Sequence, residues 1–503
     1  MLLAGILPAH GQTTITILHT NDLHGHVEPV VMKGKSYGGY ARHVTLVRKF
    51  REEDPNVLLL SGGDTFQGTL YSKVYDGLAD LYFLERMGYD GAAAGNHEFD
   101  RGPGPLAVFA RNATFPVLAA NLDVSGEPLL TGLVKPTAVV EVAGRKIGLV
   151  GAVTPELPLL SNPGPNVHVL DLEPSVRGAI AALEEQGVDV VVLLSHLGYT
   201  LEKDLASRVA GIDVIVGGHS HTLLGDLGRP DLPAGDGPYP TVVDAPDGSR
   251  TLLVSSWQWG LVLGRIQVDF DEAGHVAAWR EARPILVDET VPEDPESRAA
   301  VLAFARPIET LRSKVIGRTG AGLEAGRDAR RRECPLGNVV ADAFLAATEA
   351  AGTRIAFANG GAIRRSIEPG DVTYQDVIEV QPFGNTLVVV DVTGAKVLEA
   401  LEHGVAGWAE DKGGFLHAST GFEYTFDVSR PAGARVVDAT LDGRPIDPAA
   451  TYRVAVTSFV ARGGDGHRAF LEPSGLSTDT GIVDSEATIE YFETRPDLDA
   501  IRG

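Results

Sequence analysis

Five short apolar runs in the first half of the chain each end in a residue of the kind that binds metal ions. Thr14-Ile15-Thr16-Ile17-Leu18 alternates β-branched and apolar residues, reads as a strand, and leads to Asp22-Leu23-His24. Val57-Leu58-Leu59-Leu60 is an unbroken apolar run, typical of a strand buried on both faces, and ends in Ser61-Gly62-Gly63-Asp64. The small-residue run from Gly91 to Ala94 opens onto Gly95-Asn96-His97-Glu98-Phe99-Asp100. Val188 to Leu194 ends in Ser195-His196, and Ile212 to Val216 in Gly217-Gly218-His219-Ser220-His221. Between these runs, Ala41 to Glu53, Ala79 to Met87 and Pro174 to Gln186 have helical spacing, the last stopped by Gly187. Strands alternating with helices predict a layered α/β domain.

The rest of the chain is less regular. Val139 to Val153 predicts a hairpin about Ala143-Gly144. Asp226 to Asp247, rich in Gly, Pro and Asp, reads as a loop, and strands at Leu252 to Val254 and Leu261 to Phe270 close the first half. Asp288 to Pro295 is acidic and carries Pro292 and Pro295, so it marks a boundary. Glu296 to Lys314 then reads as a connecting helix. A second α/β domain begins near Ile316, with a helix over Asn338 to Ala351 and strands near Arg354 to Ala358, Thr386 to Val392, Phe422 to Val428 and Tyr452 to Thr457. The expected organisation is a short leader (1–12), a first α/β domain (13–290), a connecting helix or linker (291–315) and a smaller second domain (316–503). The leader is expected from the apolar stretch Leu2 to Leu7 and the small-x-small site Ala9-His10-Gly11, which resemble a cut-down export signal without its basic region.

Composition narrows the partners. Across 503 residues there are 67 acidic and 43 basic side chains, a formal net charge of −24. Nucleic-acid polymers and anionic membranes need clustered Lys and Arg, so they are excluded as main partners. A small anionic substrate is not excluded, because bound metals outweigh distant charge. The single cysteine, Cys334, rules out an internal disulfide. No stretch reaches the ~20 apolar residues of a membrane helix.

The polar residues at the strand ends fit one chemistry. Hydrolysis of a phosphate ester requires a hydroxide at neutral pH and neutralised charge on the phosphoryl oxygens. Two metal ions about 3.5–4 Å apart do both. They need imidazole, carboxylate and amide ligands held rigidly, as the carboxyl ends of neighbouring strands hold them. Asp22, His24, Asp64, Asn96, His196, His219 and His221 supply that set. N/O ligands of this kind accept Zn²⁺, Mn²⁺, Co²⁺ or Fe²⁺. His97 adjoins Asn96 and is placed to face a phosphoryl group, with Asp100 three residues on to orient its ring. Taken singly, each motif has an ordinary structural explanation, such as a strand-end histidine or a turn; five together do not.

The order D-x-H, G-G-D, G-N-H-E-F-D, S-H-L-G, G-G-H-S-H resembles the calcineurin-like metallophosphoesterases and, more narrowly, the secreted 5′-nucleotidase family. The resemblance extends over nearly the whole chain. It implies a layered β-sandwich catalytic domain with flanking helices, two divalent metal ions, and a C-terminal α/β domain that closes over a nucleotide. By the same resemblance Arg332 and Arg364 hold phosphate, Phe383 and Phe459 sandwich the base, and Asp465 and Asn359 contact the nucleoside. Guanidinium forks suit phosphate. Two aromatic faces suit any base, at ~1–3 kcal/mol per stacked base. The expected reaction is hydrolysis of nucleoside 5′-monophosphates to nucleoside and phosphate by a metal-activated hydroxide. Alternatives on the same metal core are a 2′,3′-cyclic phosphodiesterase/3′-nucleotidase and a nucleotide-sugar hydrolase. A thiosulfohydrolase or a non-catalytic nucleotide binder fits the paired phenylalanines and the His97/Asp100 pair less well.

Overall fold

The structure, a computed structural model, describes residues 13–32, 34–408 and 413–495. The expected export segment lies outside the described residues. The chain divides into two compact units, Met1–Ile308 and Glu309–Gly503. The division falls inside the helix Pro295–Arg312, which occupies nearly the span anticipated for a connecting helix.

The first unit is built on two sheets. One runs Val276–Leu286, Val262–Phe270, Thr13–Thr20, Val57–Ser61, Gly91–Ala93, Val117–Leu118, Val134–Lys135. The other runs Thr241–Asp244, Arg250–Val254, Val214–Val216, Val190–His196, Arg145–Val153, Thr137–Val142. The sheets face each other across a core made by Ile15, Ile17, Leu58 and Leu60 from one and Leu149, Val192, Leu194, Val216 and Val254 from the other. Successive side chains of a strand point to opposite faces. Val150, Val191, Leu193 and Ile215 therefore pack outward, against Val176, Ile180 and Leu183 of the helix Leu172–Glu184 and Leu205 of the helix Tyr199–Arg208. Burial on both faces is why these strands read as unbroken apolar runs.

Parallel pairing brings the strand ends level. Thr20 pairs with Ser61, and Ser61 with Ala92. In the second sheet Leu194 pairs with Val216, and Val216 with Val254. The loops that follow are stitched together: the Asp22 N–H donates to Gly63 O (3.0 Å) and the His24 N–H to Asp64 O (3.0 Å).

Several strands fall outside the expectation, among them the following two. Thr241–Asp244 pairs antiparallel with Arg250–Val254, inside the segment read as a loop. Val276–Leu286 was not anticipated, and none of its residues is fully buried. Both are edge strands, which lack the apolar pattern that marks an inner strand. The helix expected over Asn338 to Ala351 starts earlier, at Pro335, and its regular part ends at Thr348. Proline is favoured at a first helical position because its missing N–H has no partner there anyway.

The second unit has a five-stranded sheet in the order Leu416–Ala418, Ile355–Asn359, Thr451–Thr457, Thr386–Thr393, Ser477–Val483. Ile355, Phe357, Val390, Val454 and Val456 form its core with Val397 and Leu401 of the helix Gly394–Ala406. Ile355–Asn359 and Thr451–Thr457 run parallel, so the segments beginning at Gly360 and Ser458 leave the sheet at neighbouring ends. The Thr457 hydroxyl accepts the Val460 N–H and turns the chain into the short helix Ser458–Ala461.

Candidate active site

The ligand loops of the first unit adopt backbone conformations that side chains usually avoid. Asp22, His24, Asp64, His219 and His221 all have positive φ, at 51°, 49°, 53°, 74° and 50°. Such residues cost of order 1–3 kcal/mol each and persist only where the surroundings impose them. The tight curvature lets Asp22 and His24, two residues apart, converge on one point.

The side chains collect into two groups able to hold an ion, Asp22/His24/His221 and Asp64/His196/His219, with the donor atoms of each within 4.8 Å of one another. Asp64 lies against both: its Oδ2 is 3.0 Å from His196 Nε2 and 3.8 Å from His24 Nε2. The amide oxygen of Asn96 lies 3.2 Å from His196 Nε2. Thus all seven residues anticipated as ligands belong to one cluster.

The ring orientations test the fit to metal. His196 Nδ1 lies 2.7 Å from Gly62 O and His24 Nδ1 lies 3.1 Å from Phe66 O. Each ring donates through Nδ1 and turns Nε2 inward, the orientation of a metal-ligating imidazole. His24 Nε2 faces His221 Nε2 at 2.9 Å, a distance that two lone pairs tolerate only with a cation or proton between them. Burial lowers His24 and His219 to about 3, so both are neutral, as ligands must be. Burial also opposes the charge on His196, but Asp64 outweighs it and raises that ring to about 9. The surroundings thus favour positive charge between His196 and Asp64, at the place a cation would take.

His97 and Asp100 form the anticipated pair. Asp100 Oδ2 lies 2.7 Å from His97 Nδ1, and Asp100 Oδ1 accepts from the Ser161 hydroxyl at 2.7 Å. His97 Nε2 points towards the cluster, 3.9 Å from Asp64 Oδ2.

Three buried residues that the sequence did not single out brace the ligands. The Glu98 carboxylate accepts the N–H groups of Gly95 (2.6 Å), Thr65 (2.7 Å), Phe66 (3.1 Å) and Asp64 (3.2 Å), tying the Asp64 loop to the Asn96 loop. Glu202 accepts from Gly218 N–H (3.3 Å) ahead of His219. Asn21 donates to Asp22 Oδ2 (2.6 Å) and accepts from Ser256. Glu98 carried a signal, its place inside G-N-H-E; Glu202, within a helix, carried none.

A cavity of about 410 Å³ opens in the second unit, lined by Arg330, Asn359, Gly361, Ala362, Arg364, Phe383, Asn385, Gly413, Phe459 and Asp465. Five of the six residues expected to bind substrate are there. The exception is Arg332, whose exposed side chain pairs with Asp328 at 2.5 Å; Arg330, two residues earlier, lines the cavity instead. The adjacent turn explains the change: Arg330 ends the short helical segment Gly326–Arg330, whose backbone Gly360 closely approaches. The rings of Phe383 and Phe459 are 46% and 44% exposed, unusual for phenylalanines. The Arg364 guanidinium lies 5.4 Å from the centre of the Phe383 ring. Asn359 donates to Asp465 Oδ2 (2.9 Å), while its own Oδ1 is buried without a hydrogen-bond partner among the described residues.

Residues 15–223 match the calcineurin-like phosphoesterase family and residues 315–472 the 5′-nucleotidase C-terminal domain. Fold and site together define a metallophosphoesterase carrying a second, substrate-type domain. The chain is 36% identical to a 5′-nucleotidase of Diplobatis ommata, over 95% of this chain and 87% of that one. The chain belongs to the 5′-nucleotidase family. It is 35% identical to the trifunctional nucleotide phosphoesterase YfkN of Bacillus subtilis over 97% of its length, and spans about a third (34%) of that longer protein. Among solved structures, that of a 5′-nucleotidase precursor from Thermus thermophilus is 46% identical with a TM-score of 0.67, covering 96% of this chain and 97% of that one.

Proposed function

We propose that the protein hydrolyses nucleoside 5′-monophosphates to nucleoside and inorganic phosphate with two divalent metal ions. The observation that carries this is the pair of donor groups sharing Asp64 at the strand ends of a phosphoesterase fold. Two ions held there would supply Lewis acidity, lowering the pKa of an attacking water and neutralising charge on the phosphoryl oxygens.

The side chains divide the remaining work. Asp22, His24 and His221 would hold one ion, and Asp64, Asn96, His196 and His219 the other, with the Asp64 carboxylate against both donor groups. His97, held through Nδ1 by Asp100, presents Nε2 to the reacting group, where it stabilises developing charge or donates a proton to the leaving oxygen. Glu98, Glu202 and Asn21 keep the ligands in register. In the second unit, Phe383 and Phe459 offer aromatic faces to a base. Arg364 and Arg330 offer guanidinium groups to phosphate. The orphaned Asn359 Oδ1 and the Asp465 carboxylate offer acceptors for nucleoside hydroxyl or N–H groups.

Export forms part of this proposal. It is supported by the apolar leader and by the description of the Thermus thermophilus relative as a precursor. No helix among the described residues is long and apolar enough to cross a membrane.

Paired substrates test the nucleoside assignment. Phe459→Ala should raise KM for AMP by about tenfold or more, the scale of one lost base stack, and leave KM for p-nitrophenyl phosphate unchanged. An equal rise for both would sink it.

A further inference from the structure

We infer that His403 is a positioning residue for nucleoside recognition, acting by fixing the backbone of Asp465. This rests on the assignment of the cavity around Phe383, Phe459 and Asp465 to the nucleoside.

Asp465 lines the cavity with its backbone in the left-handed region, φ 51° and ψ 13°. A residue other than glycine holds that conformation only under restraint. Two restraints are visible. Asn359 donates to the side chain at 2.9 Å, and His403 Nε2 lies 2.7 Å from the backbone carbonyl of Asp465. A carbonyl only accepts, so the His403 Nε2 carries the proton and donates. His403 stands in the last turn of the helix Gly394–Ala406, which Val397, Ala400 and Leu401 anchor in the core of the unit. The donor is therefore presented by a rigid element rather than by a loop.

The neighbouring residues are fitted to this contact. A Cβ on Gly466 would stand 2.8 Å from the His403 ring, and Gly466 itself has φ 87°, so a side chain there would be strained and would push on the His403 ring. His467, fully buried, packs edge-on against His403 with ring centres 4.8 Å apart. Its Nε2 lies 2.8 Å from Gly414 O, beside Gly413 of the cavity wall. The two histidines thus tie the Asp465 loop to the Gly413–Gly414 loop. Among the described residues, His403 is not part of the cavity lining. Its effect on a ligand passes through Asp465.

The test is steady-state kinetics of the metal-loaded full chain on AMP and p-nitrophenyl phosphate, comparing the parent with His403→Ala, His403→Gln, Gly466→Ala and Phe459→Ala. One lost backbone restraint predicts that His403→Ala raises KM for AMP about three- to tenfold. Its kcat, and both constants for p-nitrophenyl phosphate, should stay unchanged. His403→Gln, whose amide can donate in the same direction, should recover most of the loss. Gly466→Ala, which crowds the His403 ring, should show the same selective rise. A selective effect of Phe459→Ala with none from His403→Ala or Gly466→Ala would overturn the role of His403 alone. Loss of activity on both substrates in all His403 and Gly466 variants would overturn it too, by showing a general structural role. A Phe459→Ala variant without selectivity would overturn the nucleoside assignment itself, and this inference with it.

Discussion

At the residue scale, the site depends on side chains held in costly conformations by their neighbours. Asp64 is the extreme case: positive φ, full burial, and imidazoles of both donor groups within 3.8 Å. Asp64→Ala should therefore reduce bound metal as well as turnover; full metal content by elemental analysis together with retained turnover would contradict the bridging role. Glu98 allows a finer test. Glu98→Gln keeps size and shape but turns an amide NH₂ towards backbone N–H donors. Metal affinity measured by calorimetry should fall roughly 10–100-fold, the usual cost of removing a supporting contact around a metal ligand. Affinity equal to that of the parent would show that the four N–H contacts do not position Asp64. The clustered residues were legible in the sequence because Asp, His and Asn at strand ends are chemically conspicuous. Glu202 was not, because a glutamate in an amphipathic helix looks like any solvated one. Of the three consecutive arginines 330–332, the sequence does not mark Arg330 as the one that lines the cavity.

At the element scale, strand burial dictates what could be read. Inner parallel strands such as Val57–Ser61 and Val190–His196 are buried along their whole length and stood out as apolar runs. The edge strands Thr241–Asp244 and Val276–Leu286 share a ladder on one side only and are solvated, so no periodicity revealed them. Burial at strand starts also leaves a titratable mark. Asp213 precedes the strand Val214–Val216 and accepts the Val191 N–H at 2.9 Å; burial pushes its carboxyl up from 3.8 to about 8. Between about pH 4 and 8 the folded chain keeps this proton and the unfolded chain does not. The folded state binds more protons over that window, so stability falls as pH rises through it. Asp213→Asn keeps the acceptor and removes the titration. Its Tm relative to the parent should improve steadily from pH 5 to pH 8; parallel Tm–pH curves would contradict this.

At the scale of the whole molecule, two units carry two kinds of chemistry, and the sequence showed each differently. The metal unit was legible from spacing and residue type alone. The second unit was not: exposed phenylalanines and a Gly-Gly-Asp-Gly turn have commonplace explanations, and only resemblance to a known family gave them roles. The net charge of −24 excluded polymeric anions without excluding a nucleotide, since a cluster built for two cations locally reverses that field. The direct measurement is phosphate release from AMP by the full chain, stripped with chelator and then reloaded with Mn²⁺ or Zn²⁺, with 2′,3′-cyclic AMP and bis(p-nitrophenyl) phosphate in parallel. The expected result is no turnover after stripping, and restored release from AMP well above that from the other two. Preference for the cyclic substrate, or turnover of AMP undiminished after complete metal removal, would contradict a metal-dependent 5′-nucleotidase.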